Sequence, residues 1–362
     1  MLSHQEKISF RQAVILFITL LYSPAIRFFP TQAAAEAKQA GWLTPLVSFV
    51  FLLLLVLVFH SFYKKHRDAS WMDIICKITG KYLGSVILSA YIGWLVILLV
   101  LYTRYYAIRI NTAIAPASDI SFFIIVMLVL VAVVLRYGLV VFARMGEIIA
   151  LLLLIGFALL FVFSTKNISI DNLTPISRLD ILPVIKGSYY LAGLWAYFVV
   201  LFFFSDKIKY KEAIKNIGIK GAVFLTVMHI LLSVMTIGSL GYSVTARSSL
   251  PFYMTVKNIT VLRALDRIEA LAVTQWIIAD FILIIVFFYS ILCIIKYLFK
   301  LSDTKFLIGI LTILMYILSL YIAKSQFELE EFSVMVAIHL NILFGFIIPV
   351  LLLIAGKIRQ QL

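Results

Sequence analysis

Residues 120–136 read ISFFIIVMLVLVAVVLR, and residues 139–164 read LVVFARMGEIIALLLLIGFALLFVFS. As helices, both runs have about the length needed to cross the hydrocarbon core of a bilayer, and the first carries no charge before its final arginine. Such runs predict membrane-spanning helices, because a helix satisfies its backbone hydrogen bonds within its own segment. The other predicted segments are approximately Ile8–Ala37, Trp42–Tyr63, Leu83–Ile110, Leu182–Ser205, Ile217–Gly241, Ile268–Tyr297, Phe306–Ala323 and Phe332–Gly356.

The composition agrees with a membrane protein. Of the 362 residues, 64% are hydrophobic and 13% are charged, and the mean hydropathy is +1.10. A soluble domain has roughly a quarter charged residues and about half apolar ones, so the composition excludes a soluble globular domain, a disordered chain and a nucleic-acid-binding domain. The net charge of +14 is interpreted as basic loops on the inner side of a membrane.

The loops also predict an orientation. If the N-terminus is inside and ten helices alternate, more than half of the lysines and arginines fall on the inner side, so both termini are expected to be cytoplasmic. Since no small-residue cleavage site of the A-x-A type closes the first segment, we expect it to remain as a helix and not to be removed as a signal peptide.

The ten segments divide into two halves of five, at about residues 8–164 and 182–356, within one transmembrane domain (1–362). An odd number of spans per half makes the second half inverted relative to the first. Two short amphipathic stretches, Trp71–Ile78 and Leu250–Lys257, follow the second and seventh segments, at corresponding positions on opposite faces. The sequence therefore predicts an all-α integral membrane protein with ten transmembrane helices in a 5+5 inverted repeat, as in LeuT-like transporters.

This architecture predicts interrupted helices one and six, with a ligand between them. Pro24 lies in the middle of the first segment and Gly193 in the middle of the sixth. Unwound backbone at these positions would offer free N–H and C=O groups to a zwitterion, although proline and glycine are also common in ordinary membrane helices. The predicted ligand-binding residues are Tyr22, Ser23, Pro24, Ala25, Gly193, Leu194, Trp195 and Tyr197.

Ionisable side chains inside the membrane segments are further candidates, because their burial is costly. Arg27 could meet a ligand carboxylate or phosphate, or pair with Glu36. Asp280 could carry a proton or hold a cation, or make an ordinary interior hydrogen bond. Arg104 and Arg109 could line an anionic vestibule, although pairing with Asp119 is the favoured interpretation.

Other polar residues are interpreted structurally. Arg144 and Glu147 are three residues apart on one helix face, so a local pair with a structural or gating role is expected. His229 and His339 are interpreted as hydrogen-bonded core residues. The sequence has no HExxH motif, no Walker A loop and no nucleophile beside a recognisable base, so neither an enzyme nor a metal site nor a cofactor is predicted.

Five short motifs resemble one known family, the endospore germination permeases, which are the B subunits of nutrient germinant receptors within the amino acid–polyamine–organocation superfamily. The most specific is Arg267–Leu271, followed by Trp276, which resembles R-[IL]-E-A-L…W, and Ala143–Glu147 resembles an R-x-x-E signature. The others are Lys7–Gln12, Gly41-Trp42 and Ile181–Gly187. The chain departs from the family at Ser23–Ala25, where relatives often have G-x-G, and in the uncharged stretch Trp195–Phe198.

The resemblance implies a function and partners. The protein would sense a small nutrient, expected to be an amino acid, at a mid-membrane site in the spore inner membrane. It would signal to an A-type membrane subunit and a C-type lipoprotein, with membrane lipids around it and no nucleic acid. Arg267 and Glu269 would have a structural or gating role. The alternatives are a secondary amino acid symporter coupled to protons or cations, and a scaffold with an inactive pocket.

Overall fold

A computed structural model of the protein describes residues 7–259 and 268–361, and almost all of these residues are helical. Short 3₁₀ and π-helical segments join several of the α-helices. The α-helices of the described chain are α1 (Phe10–Ala37), α2 (Thr44–Lys65), α3 (Trp71–Thr79), α4 (Lys81–Ala113), α5 (Ile120–Tyr137), α6 (Leu139–Ser164), α7 (Ile181–Trp195), α8 (Ile214–Leu240), α9 (Tyr242–Arg247), α10 (Pro251–Lys257), α11 (Glu269–Leu298), α12 (Lys305–Tyr321), α13 (Gln326–Phe332), α14 (Ile338–Ile342) and α15 (Ile348–Ile358).

The apolar helices are of membrane-spanning size. Within the described residues, eight helical stretches are long and apolar enough to cross a bilayer, and the first of them, Phe10–Lys65, contains both α1 and α2. The helix α12 is apolar but shorter, at 17 residues. The protein is therefore an all-helical integral membrane protein, and helices lie where the sequence predicts them. The length criterion by itself does not give the predicted number of ten spans.

The prediction of an interrupted first helix is wrong. α1 runs from Phe10 to Ala37 as one α-helix with Pro24 and Pro30 inside it. Proline removes one backbone donor, but a membrane helix tolerates this loss when the helices around it hold its course. α1 packs against α6, α7, α8 and α11, and Pro24 itself is buried. The surrounding helices thus keep α1 helical.

The sixth predicted helix changes type instead of unwinding at Gly193. α7 continues as an α-helix through Gly193 to Trp195, and a 3₁₀ helix then runs over Ala196–Lys207. Twelve residues is long for this tighter helix, whose hydrogen-bond geometry is poorer. Aromatic packing holds it in place, since the ring of Phe202 stacks on that of Phe59 with 3.7 Å between centroids and an interplanar angle of 3°. The predicted unwinding at Gly193 is therefore also wrong.

Both predicted amphipathic stretches form helices. α3 begins with a capping box, in which Ser70 and Asp73 exchange side-chain and backbone hydrogen bonds, and its apolar residues are buried. α10 covers Pro251–Lys257. They follow α2 and α8, the second helices of the two predicted halves.

The ends of the first and sixth predicted helices meet in a small sheet. β1 (Ile8–Ser9) pairs in parallel with β2 (Ile208–Lys209), with Ile8 opposite Ile208. Ser9 also caps α1, because its hydroxyl accepts a hydrogen bond from the Gln12 N–H while the Gln12 side chain bonds the Ser9 N–H. One residue thus links the start of α1 to the end of the 3₁₀ helix.

The Ser9 cap supports a prediction about stability. Ser9→Ala should lower the free energy of unfolding by about 1 kcal/mol, because one backbone donor at the helix start loses its acceptor. Denaturant unfolding in detergent micelles would measure the change. Ser85→Ala is the matched control, since the Ser85 hydroxyl bonds the Lys81 carbonyl of its own helix. Equal stability of the Ser9 variant and the wild type would contradict the role of the cap.

Candidate functional site

A buried ion pair joins α4 to α11. The Arg109 guanidinium is hydrogen-bonded to the Asp280 carboxylate, and the side chains are 4% and 1% exposed. Arg109 also donates a hydrogen bond of 2.9 Å to the Ser23 hydroxyl of α1. It is the one ion pair found within residues 7–259 and 268–361. Three helices are thus fixed to each other by one guanidinium.

A second buried arginine, Arg27, lies one turn beyond Ser23 on the same face of α1. Its guanidinium carbon lies 3.6 Å from the centroid of the Tyr105 ring, which places the cation over the ring face. Among the described residues it has no carboxylate partner, and its Nε has no hydrogen-bond partner. The negative charge of Glu330 favours the Arg27 cation. The Glu330 carboxylate is not bonded to Arg27, however, but accepts hydrogen bonds from Gln326 and Ser249.

Arg27 lines a small cavity, here called the arginine cavity. The cavity has a volume of about 10 Å³, which is room for about one water molecule. Its walls come from α1, α4, α7, the 3₁₀ helix after α7, and the last helical stretch of the chain. Its polar and aromatic lining consists of Arg27, Phe28, Tyr102, Tyr197, Ser333 and Asn341.

A chain of hydrogen bonds supports the polar side of this cavity. The Tyr102 and Tyr197 hydroxyls are 2.9 Å apart, and the Asn341 amide donates to the Tyr197 hydroxyl over 3.1 Å. The Trp94 indole N–H in turn donates to the Asn341 side-chain oxygen over 3.0 Å. These bonds fix the orientation of the Asn341 amide, so the cavity presents hydroxyl and amide groups in set positions beside one arginine.

The charges in this region do not balance. Arg27 and Arg109 interact with each other and with Asp280, and all three side chains are buried. Since Asp280 is already bonded to Arg109, Arg27 has no ion-pair partner of its own among the described residues. A buried unpaired charge is costly, so the site would favour an anionic group at the arginine cavity.

The eight predicted binding residues do not form one pocket. Leu194 and Tyr197 line the arginine cavity, and Ser23 is bonded to Arg109. Tyr22 and Ala25 instead line another cavity, between α1, α6 and α8, which we call the side cavity. α1 stays helical, so residues one apart point to different sides.

The remaining three predicted residues have packing contacts. Trp195 packs its ring against that of His229, with 5.4 Å between centroids. Gly193 lies against Ile338 of α14, and Pro24 is buried within α1. No direct contact of these residues with the arginine cavity is found in the described part of the chain.

Four expected charge pairs are wrong. Glu36 accepts a hydrogen bond from Tyr190 and is not paired with Arg27. Arg109 pairs with Asp280 instead of Asp119.

The third is the expected local pair on α6. Arg144 is exposed, and Glu147 accepts a hydrogen bond of 3.1 Å from Gln12 of α1. The spacing on α6 would allow Glu147 to pair with Arg144, but the Glu147 carboxylate is instead bonded to the side-chain amide of Gln12. Nor does Arg104 pair with Asp119: its guanidinium donates to the Ala323 carbonyl over 3.1 Å. Arg267 lies outside the described residues, and Glu269 is the half-buried first residue of α11.

Sequence reasoning missed several residues of the arginine cavity. Tyr102, Ser333 and Asn341 line the cavity and were not predicted, although a polar side chain in an apolar helix is a usable signal. Asn341 is such a polar residue, since it lies between Leu340 and Ile342 in an apolar segment. Which of these groups face one another depends on how the helices are rotated, and a single sequence does not contain that information.

The sequence is similar to those of known proteins. Residues 7–327 match the sequence profile of the family described as spore germination protein. The chain belongs to the spore germination protein family. It is similar to the spore germination protein YndE of Bacillus subtilis (strain 168), at 22% identity over 100% of this chain and 99% of the relative.

Two other spore germination proteins of the same organism are similar to this one. The putative spore germination protein YfkT is 23% identical over 72% of each chain, and spore germination protein B2 is 23% identical over 58% of each. The predicted resemblance to germination permeases is therefore confirmed at the level of the family. The low identities leave the ligand of this member open to proposal.

Gly193 gives a prediction about helix packing in this family member. A Cβ atom at Gly193 would lie 2.8 Å from Cγ1 of Ile338, closer than real contacts of this kind. Gly193→Ala should therefore lower the free energy of unfolding by about 1 kcal/mol. Gly309→Ala is the matched control, because nothing lies within 4 Å of its added Cβ. The control should be neutral or more stable, since alanine favours helix. The same sign for both variants would contradict the close α7–α14 contact.

Proposed function

We propose that this protein is the nutrient-sensing, permease-like subunit of a spore germinant receptor. It binds a small nutrient with a carboxylate group, such as an amino acid, at the arginine cavity. The observation that carries the proposal is Arg27, a buried arginine without a carboxylate partner among the described residues, facing a cavity lined by tyrosines and an asparagine amide. The nutrient carboxylate would supply the missing negative charge.

The small volume of the cavity supports a sensing mechanism. An amino acid needs far more room than one water molecule, so binding requires the helices around Arg27 to move apart. A ligand that fits the wider arrangement better shifts the protein towards it by the difference in affinity. An A-type membrane subunit and a C-type lipoprotein in contact with these helices would sense the change.

The proposed architecture is a ten-span 5+5 inverted repeat with both termini on the cytoplasmic side. Counting α1 and α2 separately and including α12 gives ten spans, and 17 residues is at the lower limit for crossing a bilayer. The corresponding positions of α3 and α10, one after the second helix of each half, support the repeat. The spore inner membrane is the proposed location.

The first test compares nutrients with their neutral analogues. The full-length protein in proteoliposomes would be given a panel of amino acids and the corresponding carboxamides, and both binding and uptake would be measured. We expect saturable binding of at least one amino acid, and binding of its carboxamide weaker by about tenfold or more, because only the carboxylate carries the charge. Equal binding of acid and amide would contradict the assignment of Arg27.

Uptake separates the proposal from its alternative, a symporter. Accumulation driven by a proton or cation gradient would show a carrier, whereas binding without uptake would support a sensor. The coupling carboxylate that a proton symporter needs would have to be Asp280, but this residue is already bonded to Arg109. The contact gives Asp280 a structural partner and therefore favours the sensor.

A further inference from the structure

The side cavity lies on a different face of α1 from Arg27. Tyr22 and Ala25 form its floor, Leu154 and Phe157 of α6 form one wall, and Met228 and His229 of α8 form the other. Residues 18, 22 and 25 share one helix face, whereas 23 and 27 share another. The side cavity has a volume of about 60 Å³ and is separate from the arginine cavity.

The surroundings of the cavity are apolar and lie on the outside of the helix bundle. Leu154 at its edge is 38% exposed, and on the neighbouring α8 Val223 and Val227 are 48% and 49% exposed. In a membrane-spanning protein such exposed apolar side chains face lipid. A molecule dissolved in the lipid can therefore approach the cavity between α6 and α8 without crossing water.

His229 gives the cavity one specific polar group. Its Nδ1 lies 2.6 Å from the Leu225 carbonyl oxygen. A carbonyl oxygen only accepts, so Nδ1 carries the hydrogen and the neutral ring has an acceptor lone pair at Nε2. The residue is 4% exposed, and Nε2 has no partner in the described part of the chain. A buried acceptor without a donor is costly and thus favours a molecule that supplies one.

The other polar groups at the cavity do not supply that donor. The Tyr22 hydroxyl donates to the Gln275 side-chain oxygen, and the Thr19 hydroxyl is 2.8 Å from the Ile15 carbonyl, to which it donates. A single water would find few partners here, since an ordered buried water commonly makes about three hydrogen bonds. A hydrocarbon chain alone would leave Nε2 unsatisfied.

We propose that the side cavity binds an alkanol, a molecule with one alkyl chain and one hydroxyl group. It enters from the lipid between α6 and α8, its hydroxyl hydrogen is donated to Nε2 of His229, and its chain lies among the apolar side chains of α1, α6 and α8. The volume accommodates about four to six water-sized groups, so the hydroxyl and the first carbons are enclosed and the rest of the chain extends towards the lipid. This site is independent of the proposed nutrient site.

Photolabelling would test the proposal. The full-length protein in lipid nanodiscs would be irradiated with a diazirine derivative of 1-octanol, and the labelled residues mapped by mass spectrometry. We expect saturable labelling of residues in α1, α6 and α8 around the cavity, which excess 1-octanol removes. A diazirine octane without a hydroxyl, normalised to its labelling of lipid, should label the same residues about fivefold less, the effect of one hydrogen bond.

Variants identify the hydrogen bond. His229→Phe keeps a ring but removes the acceptor, and it should reduce octanol labelling by about fivefold. His339→Phe, the matched control at an exposed histidine of α14, should leave the labelling unchanged. Leu154→Trp narrows the opening and tests the site if the His229 variant does not fold. Equal labelling by octanol and octane, or unchanged labelling of both His229→Phe and Leu154→Trp, would overturn the proposal and indicate an acyl chain or no specific occupant.

Discussion

Arg27→Gln will weaken the binding of the carboxylate nutrient by about thirtyfold or more, the equivalent of at least about 2 kcal/mol. The glutamine keeps a polar side chain of moderate length but removes the charge that the nutrient carboxylate would meet. In the structure the guanidinium lies over the Tyr105 ring and lines the arginine cavity. Equilibrium binding to the purified variant would measure the loss.

Stability measurements distinguish ligand binding from a structural role of Arg27. Removing a buried charge that has no carboxylate partner among the described residues should leave the ligand-free protein as stable as the wild type, or more stable. The difference in affinity between an amino acid and its carboxamide should also disappear in Arg27→Gln, because both lack a charged partner. Arg144→Gln, at an exposed arginine, is the control and should change neither property. A destabilised Arg27 variant with unchanged affinity would show that Arg27 is structural.

Asp280→Ala will destabilise the protein by about 3–5 kcal/mol, because it leaves the buried Arg109 without its partner and beside a second arginine. Arg109 bonds both Asp280 of α11 and Ser23 of α1, so the loss affects the contact of three helices. Unfolding of the purified protein in detergent would measure the change. Asp171→Ala, at an exposed aspartate, should have little effect.

The double variant Arg109→Met/Asp280→Leu distinguishes the contribution of the ion pair to stability from the effect of removing one charge alone. Replacing both charges with apolar side chains removes the desolvation cost together with the ion pair, and such exchanges are often neutral or stabilising. We therefore expect the double variant to be more stable than the single variant Asp280→Leu, with a coupling energy of about 2 kcal/mol or more in the cycle completed by Arg109→Met. Additive effects of the two single changes would show that Arg109 and Asp280 do not act as a pair.

The sequence predicts the helices well because their signal is local. Each long apolar run can satisfy its backbone only as a helix in a membrane, and the structure has helices at those positions. The short helices α3 and α10 were predictable from their amphipathic pattern, which is also a local signal. Local reasoning fails at Pro24, where it predicts a break, because the neighbouring helices of the bundle maintain the α-helix.

The candidate site was predictable only in part. Arg27 and Asp280 stand out in sequence because charged residues are costly inside a membrane. Their partners do not: Asp280 lies 171 positions from Arg109, and nothing in the spacing favours this pair over Arg109 with Asp119. Tyr22 and Ser23 are adjacent in sequence, yet Tyr22 lines the side cavity whereas Ser23 is hydrogen-bonded to Arg109.

The sequence by itself thus determined the environment of the chain, the positions of its helices, its family and the presence of costly buried charges. Tertiary structure decided which charge is neutralised, which is left to face a cavity, and which side of α1 meets each neighbour. The physical reason is that hydropathy and helix formation depend on residues close along the chain. The partner of a side chain depends on the rotation and packing of helices far apart in sequence.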